Sequence, residues 1–243
     1  MARRLLDLLV AAPLLVVSAP LLLLALIAIR LETPGRPLIA QQRVGRDGVL
    51  FECFKLRTMH RQARLGPTHE ISGDMVTALG RVLRRTGVDE LPQLWNVIRG
   101  EMSLIGPRPC LPLQRELIEL RRRYGVLALR PGISGLAQVF GVDMAEPEVC
   151  ARIDALYLKR RSMRLDLGLL VLTPVRRMVP RRVIACLPLG ARAGREDGSK
   201  DQHHDQDRIS DVVADHQPRH AVYDVGHDGD GEKRGAENLG RGV

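Results

Sequence analysis

RRLLDLLVAAPLLVVSAPLLLLALIAIR, residues 3–30, decides how this chain is placed. Residues 8–29 form an uncharged run of 22 between Asp7 and Arg30. At roughly 1.5 Å per helical residue the run reaches about 33 Å, enough to cross a hydrocarbon core. Three readings compete: a spanning helix, a cleaved signal peptide, and a segment that enters and leaves one leaflet by the same face. Arg3 and Arg4 suit a signal's basic start, but the apolar run continues past any cleavage near Ser18-Ala19. Pro13 and Pro20 interrupt the run, and Ser18 lies beside the second break. An interior proline removes a helical hydrogen bond. In lipid the freed carbonyl needs a substitute donor, which a serine hydroxyl can supply. The flanks are basic on both sides, with Arg3 and Arg4 before and Arg30, Arg36, Arg43 and Arg46 after. Positive flanks stay in the cytoplasm. Both details favour the one-leaflet hairpin, broken near Ser18 and Pro20.

Outward from this segment the chain is aliphatic and basic. Hydrophobic residues make up 45% and aromatics 3%, so the core is built without rings. The net charge is +9, unevenly spread. From Gly190 on, 8 basic residues face 12 acidic ones, and the preceding 189 residues carry +13. Such a body requires an anionic partner: lipid, nucleotide or nucleic acid. Cys53, Cys110, Cys150 and Cys186 are scattered, as in a reduced cytosolic protein.

Residues 33–48 are punctuated by proline and glycine, and 49–59 alternate like a strand. The patterns predict helices over 74–85, stopped by Gly87; over 89–99, with Asp89 as N-cap, Pro92 in the first turn and Gly100 closing; and over 113–124, with three arginines at its end. Residues 151–179 read as one amphipathic helix lying at the membrane interface with snorkelling arginines. After Gly190 the apolar pattern stops, and the tail reads as disordered; its histidines show no metal-ligand spacing. The expected fold is mostly α with a small β element. A re-entrant helix–break–helix covers 1–31, a compact cytosolic domain with interfacial amphipathic helices covers 32–180, and a tail covers 190–243.

The chemistry concentrates in LRRTGVDELPQLWNVIRGEMSLIGPRP, residues 83–109. Asp89 and Glu90 precede a helix, whose amino end favours anions. Arg84 and Arg108 flank them, and guanidinium groups grip phosphate oxygens bidentately. On its own, "DE" before a helix is also an ordinary cap and dipole partner. Adjacent carboxylates do not suit glycoside hydrolysis, where two acids oppose each other across a bond. They suit a division of labour in which one attacks phosphorus and the other holds a metal.

The motifs then follow one another in a familiar order. They are Arg3-Arg4-Leu5-Leu6-Asp7, Gln42-Arg43-Val44-Gly45, Lys55-Leu56-Arg57-Thr58-Met59, Leu83-Arg84-Arg85-Thr86, Asp89-Glu90-Leu91-Pro92-Gln93, Gly106-Pro107-Arg108-Pro109 and Arg130-Pro131-Gly132-Ile133-Ser134-Gly135. Over about 175 residues the chain resembles the bacterial sugar transferases, the monotopic phosphoglycosyl transferases. The resemblance implies transfer of a sugar 1-phosphate from a UDP-sugar to polyprenyl (undecaprenyl) phosphate, with Mg²⁺ and release of UMP. It makes Asp89 the nucleophile and Glu90 the Mg²⁺ ligand, with Arg84, Arg108 and Lys55 at the phosphates. It places the protein on the cytosolic face of a bacterial inner membrane among anionic lipids. At 138–142 the chain reads Gln-Val-Phe-Gly-Val where the family often has Gln-Val-Asn-Gly-Arg. The alternatives are a catalytically impaired member and a basic membrane-bound binding module. Nucleic acid is not an expected partner, because no helix-turn-helix, zinc or RNP pattern appears and aromatics for base stacking are scarce.

Overall fold

The computed structural model describes residues 2–60 and 75–176. The expected tail over 190–243, its histidines and Cys186 lie outside the described residues. The first element is α1, Ala2–Glu32, a helix of 31 residues. Helical structure continues across Pro13 and Pro20, where the sequence predicts a break. Long leucine-rich flanks of high helix propensity support it on either side. Pro20 cannot donate to the Val16 carbonyl; one residue away, the Ser18 hydroxyl donates to the Leu15 carbonyl at 3.2 Å.

Two hydrogen-bonded pairs follow. Strands β1, Leu38–Val44, and β2, Leu50–Leu56, pair antiparallel from Leu38↔Leu56 to Val44↔Leu50. Strands β3, Ser103–Ile105, and β4, Gly132–Ser134, pair in parallel. Around them pack α2, Ala78–Thr86, α3, Gln93–Arg99, α4, Arg115–Arg123, α5, Leu136–Phe140, α6, Pro147–Arg160, and α7, Met163–Arg176. The fold is mostly helical with small sheets, as expected.

Two helix predictions need correction. Asp89 does not cap the helix after it. A 3-10 turn, Val88–Glu90, comes first, and α3 begins at Gln93 with Pro92 in the cap position. Residues 151–179 are not one helix: the described part lies in α6 and α7, with a break at Arg161-Ser162. The Ser162 hydroxyl accepts from the Leu165 amide at 3.2 Å and starts the second helix.

The core is aliphatic, with Val97, Met102, Leu117, Val139 and Ile153 essentially inaccessible. Tyr157 is the fully buried aromatic among the described residues. Cys53, Cys110 and Cys150 are buried and reduced. Gly106 and Gly132 let β3 and β4 approach closely. A methyl group on Gly132 would fall inside contact distance of the Gly106 nitrogen and the Ser134 oxygen. Gly132→Ala is therefore expected to destabilise the protein by about 3 kcal/mol or more in a urea melt. Gly48→Ala is the comparison: φ is +81° there and an added methyl meets nothing within 4 Å. It should lose only about 1 kcal/mol.

Candidate active site

The β1–β2 hairpin supplies one wall of a pocket. Gln41 is paired opposite Cys53, and Ile39 opposite Lys55. Cross-strand partners share a face, so Gln41, Arg43, Cys53 and Lys55 point the same way. The opposite wall comes from the end of α2, the 3-10 turn and the 106–109 loop. The pocket has a volume of about 240 Å³, and Lys55, Arg84, Asp89, Glu90 and Arg108 all line it. The structure thus gathers every charged residue the sequence singled out. Ser18 and Pro20 lie elsewhere, on α1.

Local contacts fix the cations. Arg108 Nη1 donates to Glu90 Oε1 at 3.1 Å. Arg84 Nε donates to Thr58 Oγ1 at 2.8 Å. Arg43 Nη1 donates to the Pro109 carbonyl at 2.9 Å, and its Nη2 to Gln41 Oε1 at 2.8 Å. Asn96, fully buried on α3, holds β2 in place. Its Nδ2 donates to the Glu52 carbonyl at 2.6 Å, and its Oδ1 accepts from the Phe54 amide at 3.1 Å.

Arg43 is the residue that sequence reasoning missed as part of the site. The signal was its spacing from Gln41, two residues apart on one strand face. Phe140 and Val142, by contrast, belong to the core and its packing rather than to the pocket lining.

Four cations face two carboxylates in this pocket, an excess of positive charge suited to a phosphorylated ligand. The crowding is visible in Lys55. Burial, together with Arg43, Arg108 and Arg84, lowers its ammonium pKa to about 8. The Glu90 carboxylate raises the pKa of Arg108. Burial pushes the Cys53 thiol up, which keeps it protonated and leaves a carboxylate as the better nucleophile. The described residues hold no group of three or more potential metal-ligating His, Cys, Asp or Glu side chains. A single carboxylate such as Glu90 fits a cation that takes its other ligands from substrate phosphates, as Mg²⁺ commonly does.

Residues 1–180 match the bacterial sugar transferase family. A UDP-glucose:undecaprenyl-phosphate glucose-1-phosphate transferase of Caulobacter vibrioides is 42% identical over 186 residues, covering 70% of this chain and 67% of that protein. An undecaprenyl-phosphate glucose phosphotransferase of Komagataeibacter xylinus is 38% identical over 192 residues, covering 74% of this chain but 36% of that protein. The exopolysaccharide production protein ExoY of Rhizobium meliloti is 34% identical over 184 residues, covering 69% of this chain and 81% of its own length.

The lowered Lys55 pKa sets a pH dependence. The ammonium is charged below about pH 8 and neutral above it. Affinity for inorganic pyrophosphate should fall as pH rises through that value. Lys55→Arg should lose this limb in calorimetric titrations; identical profiles for parent and variant would refute the assignment.

Proposed function

Because the chain belongs to the bacterial sugar transferase family, we propose that it transfers a sugar 1-phosphate from a UDP-sugar to undecaprenyl phosphate and releases UMP. The observation that carries this reading is the adjacent pair Asp89-Glu90 set among Arg43, Lys55, Arg84 and Arg108 in one pocket.

An Asp89 carboxylate oxygen attacks the β-phosphorus. The bond from that phosphorus to the bridging oxygen breaks, and UMP leaves with the electron pair. The sugar phosphate is then an acyl phosphate on Asp89. A phosphate oxygen of the polyprenyl acceptor attacks the same phosphorus, restores the carboxylate and forms a diphosphate-linked sugar. Arg84 and Arg108 grip the phosphates, and Lys55 adds charge beside them. Glu90 is the residue that would hold Mg²⁺, which when bound would supply charge neutralisation at the phosphates. Glu90 and Arg108 also pair with each other, which holds the carboxylate and the guanidinium side by side.

The lipid acceptor requires a site at the inner membrane's cytosolic face. Helix α1 is long and apolar enough to cross a membrane, with a mean hydropathy of 2.6 over its best window. Both of its ends hold the same body. Arg3 pairs with Asp166 near one end, and near the other Ile29 packs with Leu56 and Leu83 while the Leu79 amide donates to Glu32. Between them Val16, Val17, Leu23 and Leu24 are exposed. This supports a helix that dips into one leaflet with both ends on the cytosolic side. Leu167 and Val171, exposed on α7 beside Asp166, support seating of that helix in the interface with anionic lipids.

Asp89→Asn is expected to abolish UMP release from UDP-sugars while the protein stays in the membrane fraction. Retained turnover would remove Asp89 from the nucleophile role. A tag at residue 1 should react with impermeant reagents only from the cytosolic side. Reaction only from the periplasm would replace the re-entrant topology with a spanning helix.

A further inference from the structure

The 106–109 loop carries Arg108, and its backbone is held unusually fully. Four consecutive carbonyls each accept a hydrogen bond. Pro107 accepts from the Gly132 amide at 2.9 Å and Cys110 from the Val44 amide at 2.9 Å. Pro109 accepts from Arg43 at 2.9 Å, and Arg108 accepts from Arg121 Nη1 at 2.8 Å.

Arg121 lies on α4, outside the pocket lining. Its side chain is 3% exposed and that of its partner Asp154, on α6, is 2% exposed. Nε and Nη2 both donate to Asp154 Oδ2, at 3.0 and 2.7 Å. An ion pair this deep adds little net stability over apolar residues of the same volume, because both charges are stripped of water. Its geometry serves a different purpose. Asp154 fixes one side of the guanidinium plane, and the fixed plane aims Nη1 at the Arg108 carbonyl. Prolines on both sides already restrict the backbone at Arg108. The Arg121 contact fixes its remaining freedom, so that the Arg108 side chain reaches Glu90.

We infer that Arg121, clamped by Asp154, is a positioning residue for Arg108. The inference rests on the proposed role of Arg108 at the phosphates. A lysine keeps the charge opposite Asp154 but lacks the planar fork that serves carboxylate and carbonyl together.

The test uses the full chain in nanodiscs, with UDP as the probe. Arg121→Lys should weaken UDP binding about tenfold while the melting transition stays cooperative. The volume-matched double variant Arg121→Met with Asp154→Leu removes the charges together and should show the same loss. In an Arg108→Ala background, Arg121→Lys should change UDP affinity by less than about twofold, because its effect passes through Arg108. An unchanged affinity for Arg121→Lys would overturn the inference. So would a tenfold loss that persists without the Arg108 side chain, which marks a general structural role. If Arg108→Ala alone leaves UDP affinity unchanged, the phosphate reading falls, and this inference falls with it.

Discussion

The buried carboxylate of Asp7 joins the apolar helix α1 to the rest of the fold. It accepts from the Ser103 hydroxyl at 2.9 and 3.0 Å and from the Leu104 amide at 2.9 Å. These are charge-assisted bonds made out of water, where a lone carboxylate would be strongly unfavourable. They fix α1 against β3, which runs directly into the loop that carries Arg108. Arg4 adds a second tie through the last carbonyls of α3, at Val97 and Ile98, where a cation also suits the helix dipole. The far end of α3 follows directly from Asp89 and Glu90. The seat of the apolar helix and the positions of Asp89, Glu90 and Arg108 are therefore set by one group of contacts.

The pocket concentrates positive charge, with Arg43, Lys55, Arg84 and Arg108 lining it beside Asp89 and Glu90. Burial first, and then the neighbouring guanidinium groups of Arg43, Arg108 and Arg84, lower the Lys55 ammonium pKa to about 8. On the proposed function, a diphosphate would relieve the repulsion among these cations, so part of the electrostatic cost would be met by folding rather than at the moment of reaction. The Glu90–Arg108 ion pair offsets part of that repulsion. Because the pair is only partly shielded, it can rearrange without stranding a dry charge.

Much of this was legible in the sequence, and the reasons differ by element. The apolar segment follows from composition alone. Asp89, Glu90, Arg84 and Arg108 fall within 25 residues of one another, so their chemistry could be read locally. Strand β1 was hidden because its pocket face carries Gln41 and Arg43 rather than an apolar alternation. The break between α6 and α7 was hidden by apolar periodicity that continues through it, although Ser162 carried the capping signal. Asp7 reads in sequence only as the boundary of an apolar run. Its value appears when Ser103, 96 positions away, closes on it.

The same distance separates what motifs encode from what catalysis needs. A motif such as Gly106-Pro107-Arg108-Pro109 specifies a stiff turn bearing a guanidinium. It does not specify where that guanidinium points. The aim is set by Gly132, Val44, Arg43 and Arg121, residues from three other parts of the chain. Two of these act through backbone amides, and at Gly132 the backbone has no room for a side chain. The two arginines act through side chains, and only there can the aim be altered by substitution without rebuilding the backbone. Of the two, Arg43 also lines the pocket, so its loss would mix lost charge with lost aim. Arg121 stands apart from the ligand and is paired with its own carboxylate. It is therefore the place where positioning can be separated from binding.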